Sequence, residues 1–173
     1  MMNFLSRSYS VLHAGAMIGL IALFLNYYTG VNLRTNKHMI GDVKHIKTHE
    51  LTLDKSKVDR ALIELNMRYD LRGAFDWSTH MIFIYVTANY ITNRHERSEV
   101  IIFDKIINNK SEAYQPSINI FAKYFLYDFG RSLRNRDISL KFFYELVPIG
   151  GFIKQYQLSH NKFTMPKQYT QSS

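Results

Sequence analysis

The chain has 173 residues, enough for one domain with a sizeable core beside a membrane anchor, and it contains no cysteine. Disulfides, thiolate nucleophiles and cysteine-ligated zinc are therefore excluded. Lys and Arg number 22 against 14 Asp and Glu, for a formal net charge of +8. The positive charges are dispersed and no recognition-helix or RNP-like pattern accompanies them, so we do not expect nucleic-acid binding.

Residues 11–28, VLHAGAMIGLIALFLNYY, are apolar and carry no Asp, Glu, Lys or Arg. As a helix these 18 residues would extend about 27 Å, enough to cross a thin bilayer. A cleaved signal peptide would end in small residues, whereas Tyr27 and Tyr28 end this segment as interfacial tyrosines do. We therefore predict a short amino terminus over 1–10, a permanent signal-anchor helix over 11–28, one domain over 29–167 and a disordered tail over 168–173.

One face of the predicted span carries small or polar residues that would let a second helix approach closely. They are Gly15, Gly19, Ala22 and Asn26. Glycine and alanine are also common in spans that have no specific partner.

Charge does not decide the orientation of the span in the membrane, because Arg7 precedes the span while Arg34 and Lys37 follow it.

The rest of the chain shows strand patterns separated by turns. Residues 61–71 alternate strictly between apolar and polar side chains, and residues 138–147 alternate in the same way. Further strands are predicted over 81–91, 100–107, 118–127 and 152–158, after a first strand pair within 43–53. With no helices between the strands, we predict an all-β domain, an antiparallel β-sandwich.

The sequence offers no arrangement of residues typical of catalysis or of cofactor binding. His45 and His49 have the spacing of two metal ligands on a helix, but the segment lacks a helical pattern and the HExxH order. No G-x-S-x-G and no glycine-rich phosphate loop occur. We therefore expect no catalytic residue, no metal and no cofactor, and a function in binding.

Two groups of residues are candidates for structural or partner contacts. Asp76 could cap a turn that Phe75 and Trp77 pin to the core. The second group is an aromatic run before a predicted turn, together with the proline that ends a strand. Its residues are Tyr124, Phe125, Tyr127, Asp128 and Pro148.

Four segments in this order resemble the signal peptidase complex subunit 3 family: FDWSTHMIFIYVTANY, IIFDKII, KYFLYDFG with LRNRDIS, and ELVPIGG. The resemblance covers nearly the whole chain and includes the short amino-terminal anchor. It implies a single-pass type II protein of the endoplasmic reticulum membrane with a lumenal carboxy-terminal domain. It also implies an accessory subunit without catalytic residues, whose partners are the catalytic serine protease subunit and other small membrane subunits.

The resemblance has one clear departure and leaves one alternative. Family members often carry a glycosylation sequon in the turn that here reads Asn135 to Ser139, where Asp137 replaces the asparagine. The sequon in this chain is at Asn109, followed by Lys110 and Ser111. The alternative function is an independent type II receptor or adhesion-like β domain, and contact with signal-peptide-bearing substrates stays open.

Overall fold

A long amino-terminal helix precedes the β domain. The structure, a computed structural model, describes residues 4–34, 38–92 and 96–170. Helix α1 runs over Phe4–Arg34, so it extends beyond the predicted span at both ends. Within it, Phe4–Gly30 is long and apolar enough to cross a membrane, with a mean hydropathy of 1.8 and none of its most apolar stretch buried. These properties make α1 a candidate membrane span.

Eight strands follow within the described residues, in two antiparallel sheets. They are β1 (Ile40–Leu53), β2 (Val58–Asp70), β3 (Thr79–Tyr90), β4 (Ser98–Ile107), β5 (Tyr114–Phe121), β6 (Leu126–Phe129), β7 (Asp137–Pro148) and β8 (Lys154–Thr164). The first sheet has the order β1-β2-β5, with β6 also paired to β2, and the second has the order β4-β3-β7-β8. The predicted antiparallel β-sandwich is confirmed.

The inner faces of the two sheets form one hydrophobic core. On β2 the alternation places Ile63, Leu65 and Met67 inside, and on β7 it places Leu140 and Phe142 inside, all at most 1% exposed. Side chains on one face of a strand recur every second residue, so the polar residues between them point to solvent. Burial of this apolar face stabilises the pairing register, because a slip of one residue would turn the face outward.

Two predicted strands differ from the observed ones. The residues predicted as a first strand pair form the single strand β1, whose register against β2 shifts at two bulges. Each bulge breaks the period of two, so the sequence reads as two short segments. The predicted strand over 118–127 is divided between β5 and β6, because the chain between them leaves the first sheet: Tyr124 N donates to Ile102 O of β4.

The carboxy-terminal end of the sandwich is also more ordered than expected. Strand β8 extends to Thr164, well beyond the predicted end at residue 158. Tyr169 Oη donates to Asp59 Oδ1 at 2.8 Å, and Thr170 N donates to Leu51 O at 2.9 Å. Tyr169 and Thr170 of the tail predicted to be disordered thus contact the sandwich, while residues 171–173 lie outside the described part of the chain.

Two tyrosines of β3 should make the stability of the domain sensitive to alkaline pH. Burial raises the pKa of Tyr85 and of Tyr90 from 10 to about 12, because desolvation disfavours the phenolate. Between these values the unfolded chain releases protons that the folded chain retains, so the free energy of unfolding should fall as the pH rises from 10 to 12. Thermal unfolding of the full chain in detergent measures this fall. The double variant Tyr85→Phe/Tyr90→Phe should show a smaller loss of stability over this pH range. An identical loss would contradict its assignment to these two tyrosines.

Candidate interaction surfaces

The structure brings no metal-binding group together among the described residues. No cluster of three His, Asp or Glu side chains there could hold a metal ion. His45 and His49 both lie on β1 rather than on a helix. The His45 ring stacks on Phe163 with centroids 3.9 Å apart, and burial lowers the pKa of His45. His49 instead contacts Glu64, with Nε2 and Oε2 2.6 Å apart, so the two imidazoles have separate surroundings.

Asp76 organises the turn before β3. Its Oδ1 accepts hydrogen bonds from Ser78 N at 2.9 Å, Ser78 Oγ at 2.7 Å and Thr79 Oγ1 at 3.1 Å. Phe75 packs against the core beside this turn. Trp77 does not, because 55% of its side chain is exposed. The expectation that Trp77 pins the turn to the core is therefore corrected: Trp77 is a surface residue.

The predicted aromatic run contributes to a larger surface on the outer face of the first sheet. We call this surface the aromatic patch, and it consists of Phe121, Phe125, Tyr127 and Phe129. Phe129 is 64% exposed and Tyr127 is 53% exposed. The patch combines residues of β5 and β6, because both strands pair with β2.

Charged groups surround the aromatic patch. The guanidinium carbon of Arg60 lies 3.8 Å from the centroid of the Phe125 ring, a cation–π contact, and Arg60 Nε is 3.8 Å from Glu50 Oε1. The His49 ring meets Phe121 edge-on with centroids 5.0 Å apart. Exposed aromatic rings beside arginine are enriched where proteins bind other proteins.

Two further residues of the predicted run lie outside the patch. Tyr124 is exposed, and the Lys123 ammonium lies 5.4 Å from the centroid of its ring. The same ammonium donates to Asp104 on β4, which lowers the pKa of the Asp104 carboxyl. Asp128 Oδ1 accepts from Phe129 N at 2.7 Å, so this carboxylate fixes the local backbone of β6.

Pro148 ends β7, and the β7–β8 loop that follows it (residues 149–153) contacts helix α1. A β-carbon added at Gly150 would lie 2.9 Å from Leu23 Cδ2, and one added at Gly151 would overlap the Tyr27 ring. Gly151 also has a φ of +115°, which other residues rarely adopt. The two glycines therefore allow the loop to approach the helix closely.

The small-residue face of α1 is open over most of its length. A β-carbon added at Gly15 or Gly19 would meet nothing within 4 Å. Asn26 lies nearer the β domain, where its Oδ1 is buried and accepts no hydrogen bond from the described residues. Close helix packing along Gly15, Gly19 and Ala22 stays a prediction.

Asn109 is exposed in the connection between β4 and β5. Sequence reasoning found this sequon but missed the apolar residues of the β7–β8 loop and the part of the aromatic patch outside the predicted run. The loop residues Ile149, Phe152 and Ile153 are all more than 60% exposed. Their signal in the sequence was an apolar segment interrupted by two glycines, of which only the part from Phe152 onward was predicted to form a strand.

Together these features define a β-sandwich protein with one amino-terminal helix that fits a single membrane span. A family model described as "Signal peptidase subunit" matches residues 1–168. The chain therefore belongs to the signal peptidase subunit family.

Similarity to individual proteins extends over most of the chain. It is 31% identical over 132 residues to signal peptidase complex subunit 3 of Dictyostelium discoideum, covering 76% of each chain. The protein of the same name from Drosophila melanogaster is 28% identical over 156 residues, 89% of this chain and 84% of that one. For Caenorhabditis briggsae the identity is 26%, over 96% of this chain and 94% of its relative.

Proposed function

We propose that this protein is a non-catalytic accessory subunit of the signal peptidase complex. In this role it supports the catalytic serine protease subunit as signal peptides are removed from proteins entering the endoplasmic reticulum. The observation that carries the proposal is the family match over residues 1–168. Further support comes from three relatives named signal peptidase complex subunit 3. The matched region covers at least three quarters of each of these relatives.

The aromatic patch is the surface that we assign to the interface with the catalytic subunit. Phe121, Tyr127 and Phe129 are already exposed, so their burial against a partner would remove apolar area from water without rearranging the sandwich. Arg60 beside Phe125 supplies the arginine that often accompanies aromatic side chains at the centre of an interface. The open face of α1 would pack against helices of other small membrane subunits.

The alternative function is an independent type II receptor or adhesion-like domain. It would use the same exposed patch, but it would not require the other chains of the complex. The two functions therefore differ in which proteins stay bound after solubilisation. An accessory subunit purifies together with a serine protease and small membrane proteins, whereas a receptor domain purifies largely without them.

Affinity purification of the tagged full chain in mild detergent tests the proposal, with the bound chains identified by mass spectrometry. The double variant Tyr127→Ser/Phe129→Ser should weaken the association at least about tenfold, since truncating one interface aromatic can cost 2 kcal/mol or more. Ile101→Ser/Ile106→Ser changes exposed residues on the second sheet and is the matched control. Loss of the protease with the control but not with the patch variant would contradict the assignment of the interface.

Topology gives a separate prediction. We propose that residues 38–170 lie in the lumen of the endoplasmic reticulum, on the far side of α1 from the cytosol. Protease added to sealed microsomes should then leave this part of the chain intact until detergent opens the membrane. Because Asn109 is exposed, its sequon would be available for a glycan on the lumenal side. Digestion of the β domain in sealed microsomes would refute the orientation.

A further inference from the structure

One end of the β-sandwich faces helix α1, and we call it the proximal end. Strand β1 begins there, since Ile40 pairs with Asp70 at the end of β2. The start of β3 and the end of β7 lie at the same end, where Thr79 pairs with Pro148. The β7–β8 loop (residues 149–153) therefore projects from the proximal end, toward the helix that fits the membrane.

The contacts with α1 set how far the β7–β8 loop reaches along the helix. Gly150 approaches Leu23 and Gly151 approaches Tyr27, and both helix residues lie within the candidate span that ends at Gly30. Leu23 is seven residues before Gly30, about 10 Å along the helix axis, and Tyr27 is about 4.5 Å before it. The tip of the loop is thus level with residues inside the span rather than with the chain that follows it.

The chemistry of the β7–β8 loop suits this depth. No charged residue occurs between Glu145 and Lys154. Phe152 is 78% exposed and Ile149 is 63% exposed, although each could have been polar at no cost to the core. By contrast, the β1–β2 turn at the opposite end of the sandwich consists of exposed polar residues, among them Lys55 and Lys57. The loop that points at the membrane is therefore apolar, whereas this turn is polar.

Residues next to the β7–β8 loop are of the types that proteins place at the boundary between acyl chains and headgroups. Trp77 is exposed at the proximal end, where Ile149 N donates to the carbonyl of the next residue, Ser78, at 2.9 Å. Tryptophan and tyrosine are enriched at this boundary. Lys154 Nζ lies 5.6 Å from the Tyr27 ring centroid, so its ammonium group is placed to reach the phosphate level while its methylenes stay in apolar surroundings.

We propose that the β7–β8 loop is a second membrane contact of this protein, inserted into the same leaflet from which α1 emerges. Ile149, Phe152 and Ile153 enter the acyl-chain boundary, at the depth of about 5–10 Å that interfacial segments reach. The loop backbone at Gly150 and Gly151 packs against Leu23 and Tyr27 of α1 rather than facing lipid, because unpaired amide groups are costly in hydrocarbon. With α1, this contact would hold the proximal end of the sandwich against the bilayer. The inference goes beyond the proposed function, since it depends only on α1 crossing the membrane.

Site-specific labelling of the full chain tests the proposal directly, because the protein has no cysteine of its own. Three single variants, Phe152→Cys, Ser56→Cys and Phe24→Cys, each receive an environment-sensitive fluorophore and are reconstituted into phosphatidylcholine vesicles. Residue 56 is exposed in the β1–β2 turn, and residue 24 is exposed on α1 within the candidate span. Quenching is measured with brominated acyl chains and with aqueous iodide.

A label at residue 152 should be quenched by brominated lipid about as strongly as the label at residue 24, and by iodide at least about fivefold less than the label at residue 56. Residues 56 and 152 belong to one domain, so any mixture of orientations in the vesicles affects both equally. Iodide quenching at 152 equal to that at 56 would overturn the proposal. So would weak quenching by both agents, which would mean that protein covers the loop. If brominated lipid does not quench the label at residue 24, then α1 does not cross the membrane and the premise of the proposal is wrong.

Discussion

Depletion of this protein should make most secretory precursors accumulate with their signal peptides attached, even though its proposed role is non-catalytic. The physical reason is that an accessory subunit acts through binding energy: its aromatic patch and its helix would hold the protease in a stable assembly. Loss of an interface that contributes several kcal/mol lowers the assembled fraction by orders of magnitude. Pulse labelling of a secreted reporter measures the uncleaved fraction, and complete cleavage after full depletion would exclude the accessory role.

Replacement of the endogenous copy by variants separates assembly from chemistry. No single Ser→Ala or His→Ala change should abolish processing, because a scaffold contributes no nucleophile and no general base. Gly15→Leu/Gly19→Leu should weaken assembly by widening the helix contact, whereas the same change at the exposed residues Met17 and Ile18 is the matched control. One indispensable serine in an intact complex would place the protein among the enzymes instead.

Asp59→Ala should strongly destabilise the β domain, with an expected loss of about 3–5 kcal/mol in the free energy of unfolding, because two hydrogen bonds to a buried carboxylate are lost. The Asp59 carboxylate is fully buried on β2. Its Oδ2 accepts from Leu133 N at 2.9 Å, and its Oδ1 accepts from Tyr169 Oη at 2.8 Å. It therefore ties the β6–β7 connection and the carboxy-terminal segment to the first sheet. Alanine would leave both donors without this acceptor.

Urea unfolding of the full chain in detergent measures this loss. Tyr169→Phe removes one of the two hydrogen bonds and should cost less, about 1.5–3 kcal/mol, because the acceptor is a charged group. Glu112→Ala removes an exposed carboxylate and should stay within about 0.5 kcal/mol of the parent chain. Equal stability of the Asp59→Ala and Glu112→Ala variants would contradict a structural role for the buried carboxylate.

The fold was predictable where burial on one face dictated the pattern. Alternation along β2 and β7 correctly assigned the core positions Leu65 and Phe142. Prediction failed where a local irregularity hid the pattern: the two bulges of β1 interrupt its period, and the chain near Tyr124 leaves one sheet to bond the other. Hydropathy patterns contain no information about which strand edge a segment joins.

The candidate surfaces were predictable only in part. The aromatic run through Tyr127 was visible in the sequence, but the addition of Phe121 depends on β5 and β6 sharing the edge of β2. Trp77 was assigned to the core because large aromatic side chains usually contribute to cores, yet the turn built by Asp76 directs it to the surface. Phe152 and Ile153 of the β7–β8 loop were predicted as the start of a strand, since these apolar residues carry no sign of the helix beside them.

The sequence by itself determined the class of this protein: an apolar segment without charges requires a nonpolar environment, and alternating strands require a second sheet to cover them. Local chemistry is sufficient for such conclusions because burial acts on each residue in proportion to its apolar area. Only the tertiary structure decided which apolar residues remain outside the core. Phe129 and Phe152 are as hydrophobic as Phe142, but strand pairing and the contact with α1 leave them exposed.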